Sequence, residues 1–125
     1  MIVGIGLDVC SIDRMRRALE RHGERFYGRI CSDDERRDLA GRDPAMALAG
    51  RFAAKEAFAK ALDGAPGVGW HDVEIRQAHN GRPRLEAKGA AAALLEKAGV
   101  KRCHVTLSHD AGFAAAVVVL EGGGG

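Results

Sequence analysis

Gly50-Arg51-Phe52-Ala53-Ala54-Lys55-Glu56-Ala57-Phe58-Ala59-Lys60-Ala61-Leu62 is rich in Ala and Phe on nearly every side of a helix. A helix apolar all round is a buried one. Asp43-Pro44 starts it, with Pro at the first helical position, and it is expected to run to Leu62, with Arg51, Lys55, Glu56 and Lys60 set into it. The helix therefore needs other elements packed around it. Upstream, Ile2 to Val9 reads as a strand with Val3, Ile5, Leu7 and Val9 on one face and Gly4, Gly6 and Asp8 on the other. Two glycines on one strand face mark close approach of a backbone or a ligand. Asp8 ends that uncrowded face.

Ser11 caps a helix expected from Ile12 to about Tyr27, with Met15, Ala18, Leu19 and Phe26 facing the core. Arg14, Arg17, Arg21 and Arg25 form a second stripe roughly 120° away. Ser32-Asp33-Asp34-Glu35 is a capping box opening a short helix to about Ala40, and Asp63-Gly64-Ala65-Pro66-Gly67 is a loop. The second half reads as a strand (Asp72–Ala78), a turn, a short strand (Pro83–Glu86), a helix (Ala87–Ala98) and two closing strands, Cys103–His109 and Gly112–Leu120. The class is α+β, helices packed on a small, mainly antiparallel sheet. One domain is expected over residues 1–121, with Gly122–Gly125 as a flexible glycine tail.

The bulk figures narrow the function. The chain has 125 residues, 46% apolar and 29% charged, close to the average of a single globular domain. Nineteen Lys and Arg against 17 Asp and Glu leave a net charge of +2, which argues against nucleic-acid binding by global charge. Arg outnumbers Lys by 14 to 5, and six of the Arg lie between residues 14 and 29 with only two Glu. Arginine grips carboxylates and phosphates in fixed geometry. Ala114 to Leu120 is the longest apolar run, far short of the ~20 residues of a membrane span. No signal peptide is visible. Cys10, Cys31 and Cys103 are far apart with no metal-ligand spacing, so buried free thiols and a cytoplasmic protein are expected.

Glu56 is costly on a buried helix unless paired. An i,i+4 pair with Lys60 is one account. The other uses Asp8 as a second carboxylate, a donor set suited to Mg²⁺, with Arg51, Lys60 and His109 (after Ser108) as phosphate ligands. His109 gains weight only from this company, and Asp110 reads first as a residue that shapes the turn.

Gly4-Ile5-Gly6-Leu7-Asp8, Ile12 to Arg14, Gly50 to Ala57 with Lys60-Ala61-Leu62, and Ser108-His109, in that order, resemble holo-acyl-carrier-protein synthase, the short, single-domain type of 4′-phosphopantetheinyl transferase. The resemblance implies a transferase of that fold that moves the phosphopantetheine arm of coenzyme A onto a serine of an apo acyl carrier protein in fatty acid or polyketide synthesis, releasing adenosine 3′,5′-bisphosphate. It implies Mg²⁺ on Asp8 and Glu56, and coenzyme phosphates near Lys60, His109 and Arg51. Gly81-Arg82-Pro83 resembles a family motif at the coenzyme's adenosine end. Phosphoryl transfer asks mainly for positioning and charge neutralisation, and the nucleophile comes from the carrier, with Glu56 or a metal-bound water taking its proton. The resemblance also implies docking of the acidic carrier on Arg14 and its stripe, and a homotrimer with sites shared between subunits. The rival is a non-catalytic module binding an acidic protein or nucleotide through the Arg stripe. Within the enzyme class, the runner-up is a transferase for secondary-metabolite carriers.

Overall fold

A computed structural model describes residues 1–123. Its order is β1 (Ile2–Ser11), α1 (Ile12–His22), α2 (Glu24–Ile30), α3 (Asp33–Asp38), α4 (Pro44–Ala61), a 3-10 turn (Trp70–Asp72), β2 (Val73–Gln77), β3 (Pro83–Ala87), α5 (Gly89–Lys97), β4 (Val100–Asp110) and β5 (Phe113–Gly122). The α+β expectation holds. The strands form two antiparallel sheets, β1-β5-β4 and β2-β3.

The buried helix α4 is the centre of the molecule. Leu48, Ala49, Ala53, Ala54, Ala57 and Phe58 are fully buried, and Ile75, Val118 and Leu120 join them from the sheets. Each large side chain so buried contributes roughly 1.5–3 kcal/mol.

The glycine face of β1 lies directly on α4. A Cβ on Gly4 would strike the Ala61 carbonyl, and one on Gly6 would strike the Ala57 carbonyl. The close approach is thus of backbone to backbone. Two residues along β1 correspond to four residues back along α4, so the next residue on that face, Asp8, comes over the turn of the helix at Ala53.

The other face of the three-stranded sheet is left open. Ile5, Leu7 and Val9 are 63%, 56% and 57% exposed, and Phe113 is also exposed. Cross-strand rows on it run Ile5–Val119–His104, Leu7–Val117–Thr106 and Val9–Ala115–Ser108.

The long first helix is two. Gly23, at φ 59, ends α1 with its N–H donated to the Leu19 carbonyl at 2.7 Å, and α2 starts in a new direction. Only Gly takes that backbone conformation cheaply. Met15 is buried as expected, but Phe26, beyond the break, is only half-buried. The glycine tail also begins later than expected: Gly122 closes β5 and donates its N–H to the Met1 carbonyl at 2.6 Å. Gly124 and Gly125 lie outside the described residues.

Candidate active site

The site is built where β1 crosses α4. Lys60 Nζ donates to Asp8 Oδ1 at 2.8 Å and to the Leu7 carbonyl at 3.1 Å. The i,i+4 pair of Lys60 with Glu56 is not formed, because Lys60 reaches across to the strand instead. Glu56 stands one turn earlier on the same side of α4. Among the described residues its carboxylate has no hydrogen bond or ion pair, and it lines a cleft of about 160 Å³ with Phe58, Val68 and Trp70.

Asp8 and Lys60 are thus in contact at this crossing, and Glu56 lies on the same side of α4 one turn before Lys60. No three His, Cys, Asp or Glu side chains cluster among the described residues, so no closed cage of the zinc type is present. Hard oxygen donors in ones and twos fit Mg²⁺, which completes its shell with water and phosphate oxygens. Asp8 and Glu56 are the residues that would hold it, and the ion when bound would neutralise diphosphate charge.

His109 shares the inner face of the sheet with Asp8. The row Cys10–Ala114–His109 lies next to the row Asp8–Ala116–Leu107. Two strand spacings, roughly 10 Å, separate β1 from β4. A Cβ on Gly50 would lie 3.6 Å from His109 Nε2, so the ring sits over α4. Ser108 points the other way, onto the open apolar face. Arg82 and Pro83 line a separate cleft of about 400 Å³ along β4 with Cys103, His104 and Thr106. One chain thus brings Asp8 and Lys60 into contact, with Glu56 one turn away along α4 and His109 on the neighbouring row of the sheet. It does not bring Ser108, Arg82 or Pro83 to them.

Arg51 is not an open phosphate ligand in this chain. It is 5% exposed, its Nε donates to the Ile75 carbonyl at 3.2 Å, and burial lowers its pKa from the usual arginine range. The reason is its position on a helix face covered by β2.

Lys55, beside Glu56 in sequence, ties α4 to the elements around it. Its Nζ donates to Glu35 Oε1 at 2.7 Å and to the Ile30 and Trp70 carbonyls at 2.5 and 2.9 Å. Glu35, fully buried, also accepts the Ser32 and Ile75 N–H groups. The capping-box pattern pointed to the first of these bonds only. With the Phe52–Trp70 stack at 5.3 Å, this pair fixes one wall of the Glu56 cleft.

Arg14, Arg17 and Arg21 are exposed along α1, and Arg25 is exposed on α2. Arg25 borders a hollow with His22, Phe26 and Arg29. Arg16 is spent on Asp43, at 3.1 Å. Cys10, Cys31 and Cys103 are free, the last only half-buried, and burial raises all three thiol pKa values, that of Cys31 to about 12.

The family model of the 4′-phosphopantetheinyl transferase superfamily matches residues 4–118. The chain belongs to that family. A holo-[acyl-carrier-protein] synthase of Streptomyces avermitilis is 46% identical over 127 residues, covering 97% of this chain and 98% of the relative. The crystal structure of the Neisseria meningitidis holo-[acyl-carrier-protein] synthase superposes with a TM-score of 0.84 at 36% identity, over 97% of this chain and 99% of that one. The Helicobacter pylori holo-[acyl-carrier-protein] synthase, solved in complex with coenzyme A, superposes with a TM-score of 0.82 at 30% identity, over 94% of this chain and 99% of that one. No helix among the described residues is long and apolar enough to cross a membrane.

Proposed function

We propose that this phosphopantetheinyl transferase moves the 4′-phosphopantetheine arm of coenzyme A onto a serine of an apo acyl carrier protein, with Mg²⁺ and with release of adenosine 3′,5′-bisphosphate. The observation that carries the reading is the β1–α4 crossing, where Lys60 pairs with Asp8 and Glu56, unpaired among the described residues, stands one turn along the helix, a set with two oxygen donors and one cation for a diphosphate. Positioning and charge neutralisation are what phosphoryl transfer requires of a protein. Glu56, without a protein donor among the described residues, is placed to accept the serine proton directly or through a metal-bound water. The acidic carrier docks on the exposed arginines of α1 and on Arg25, where opposite charge speeds encounter.

The active form is a homotrimer in a reducing cytoplasm. The open apolar face of β1-β5-β4 supports assembly, since contiguous exposed apolar surface marks interaction sites. So does the separation of Arg82, Pro83 and Ser108 from Asp8 within one chain, because a neighbouring copy can supply what one chain holds apart. Three free thiols fit a reducing compartment.

Incubation with an apo carrier, coenzyme A and Mg²⁺ is expected to add the mass of one phosphopantetheine to the carrier, and none when a chelator replaces Mg²⁺. Folded protein that loads no fatty acid, polyketide or secondary-metabolite carrier would favour a binding module acting through the arginines alone.

A further inference from the structure

We infer that Lys60 is the resident counter-ion of the metal-binding carboxylate and that it is exchanged for the divalent cation, so that metal binding releases the Lys60 ammonium toward the substrate phosphates. This rests on the assignment of Asp8 and Glu56 as the metal donors.

Lys60 Nζ lies 2.8 Å from Asp8 Oδ1, with the Leu7 carbonyl at 3.1 Å as its second acceptor. Asp8 is the fixed member of the pair: its side chain is 16% exposed, whereas that of Lys60 is 55% exposed. The lysine carries its charge on a flexible four-carbon stem with freely rotating donors. An ammonium and a dication competing for one carboxylate repel each other strongly at contact distance. The exposed, flexible partner is the one that leaves. Its route is outward, since β1 backbone closes the inner side of the crossing at Gly4 and Gly6.

The exchange has two consequences. Without metal, Lys60 neutralises Asp8, so the carboxylate is not left as an uncompensated charge on a mostly buried strand face. With metal, the same ammonium becomes available to a phosphate oxygen. Lys60 therefore couples the two binding events: metal and diphosphate each favour the state in which Lys60 has left Asp8.

The test is Mn²⁺ binding to the protein alone, read by the electron paramagnetic resonance signal of free Mn²⁺. Lys60→Gln is expected to bind Mn²⁺ about tenfold more tightly than the unaltered protein, and Lys60→Arg, which keeps the charge, to bind no more tightly than it. Asp8→Asn is expected to abolish saturable binding. Equal or weaker binding by Lys60→Gln overturns the exchange while leaving the metal assignment standing. Absence of saturable binding in the unaltered protein and in Lys60→Gln overturns both. A second readout is acetylation of Lys60 by an N-hydroxysuccinimide ester, followed by peptide mass. Mg²⁺ is expected to accelerate it in the unaltered protein and to have no effect in Asp8→Asn, which holds no metal to displace Lys60. An unchanged or slower reaction with Mg²⁺ in the unaltered protein contradicts the exchange.

Discussion

A carboxylate taken out of water needs donors around it, and four acidic residues here have them. Glu35 receives Lys55 and two backbone N–H groups; Glu74 receives Ser32 and Lys88. Asp38 takes Arg76 through two nitrogens, at 2.8 and 3.4 Å, and the Gln77 N–H at 3.1 Å. Asp8 takes Lys60. Glu56, half-buried, takes nothing from the described residues, and that contrast supports the chemical role proposed for it. The structural group is testable by pH. The Arg76 hydrogen bond holds the Asp38 carboxyl below its usual 3.8. A lowered folded-state pKa means stability that is fully present above the unfolded value and lost as pH falls through the folded one. Asp38→Asn is therefore expected to lower the melting temperature at pH 7, and the gap to the unaltered protein is expected to close as pH falls below about 4. A gap that stays constant from pH 7 to pH 2 contradicts the assignment.

At the scale of elements, the β1–α4 contact decides the site. Gly6→Ala places a methyl against the Ala57 carbonyl. Two packed backbones cannot yield cheaply, so a loss of about 1–3 kcal/mol is expected, read as a lower urea midpoint. Transfer should fall with it, because the strand that carries Asp8 must lift. An unchanged midpoint would show that β1 and α4 are not in the contact described. The glycine face of β1, the extent of α4 and the capping box at Ser32 were readable in the sequence, because each is set by local pattern: a period of two, a Pro start, a Ser-x-x-Glu spacing. The break at Gly23 was not, since Phe26 stays in phase with Met15 and Leu19 and a single glycine costs an isolated helix only ~1 kcal/mol. Packing of α2 against α4 and the 3-10 turn overrides that phase. The partners of Lys60 and Arg51 were also beyond pattern. Local spacing offered Glu56 to Lys60, whereas the fold brings Asp8, 52 positions away in the chain, into reach.

For the whole molecule, one protomer holds Asp8, a proposed metal ligand, on the β1 edge and Arg82 with Pro83 beyond the β4 edge, three strands apart. In the proposed trimer the open face carrying Ile5, Leu7 and Val9 is the surface through which copies meet. Leu7→Asp puts a charge in the middle of that face without touching the core, as Leu7 is 56% exposed. Light scattering is expected to give three times the chain mass for the unaltered protein and one for the variant. A monomeric unaltered protein with full transfer activity would remove the assembly from the account.

Asp8 and Glu56 are proposed to act as one centre at the β1–α4 crossing. The most direct measurement is the rate of carrier loading by Asp8→Asn, Glu56→Gln and the double variant. Groups that act as a unit lose their effect together. Each single change is expected to cost at least about a hundredfold in kcat, and the double change no more than the worse of the two. Glu56→Gln turning over at the unaltered rate, or single losses that multiply in the double variant, would contradict it.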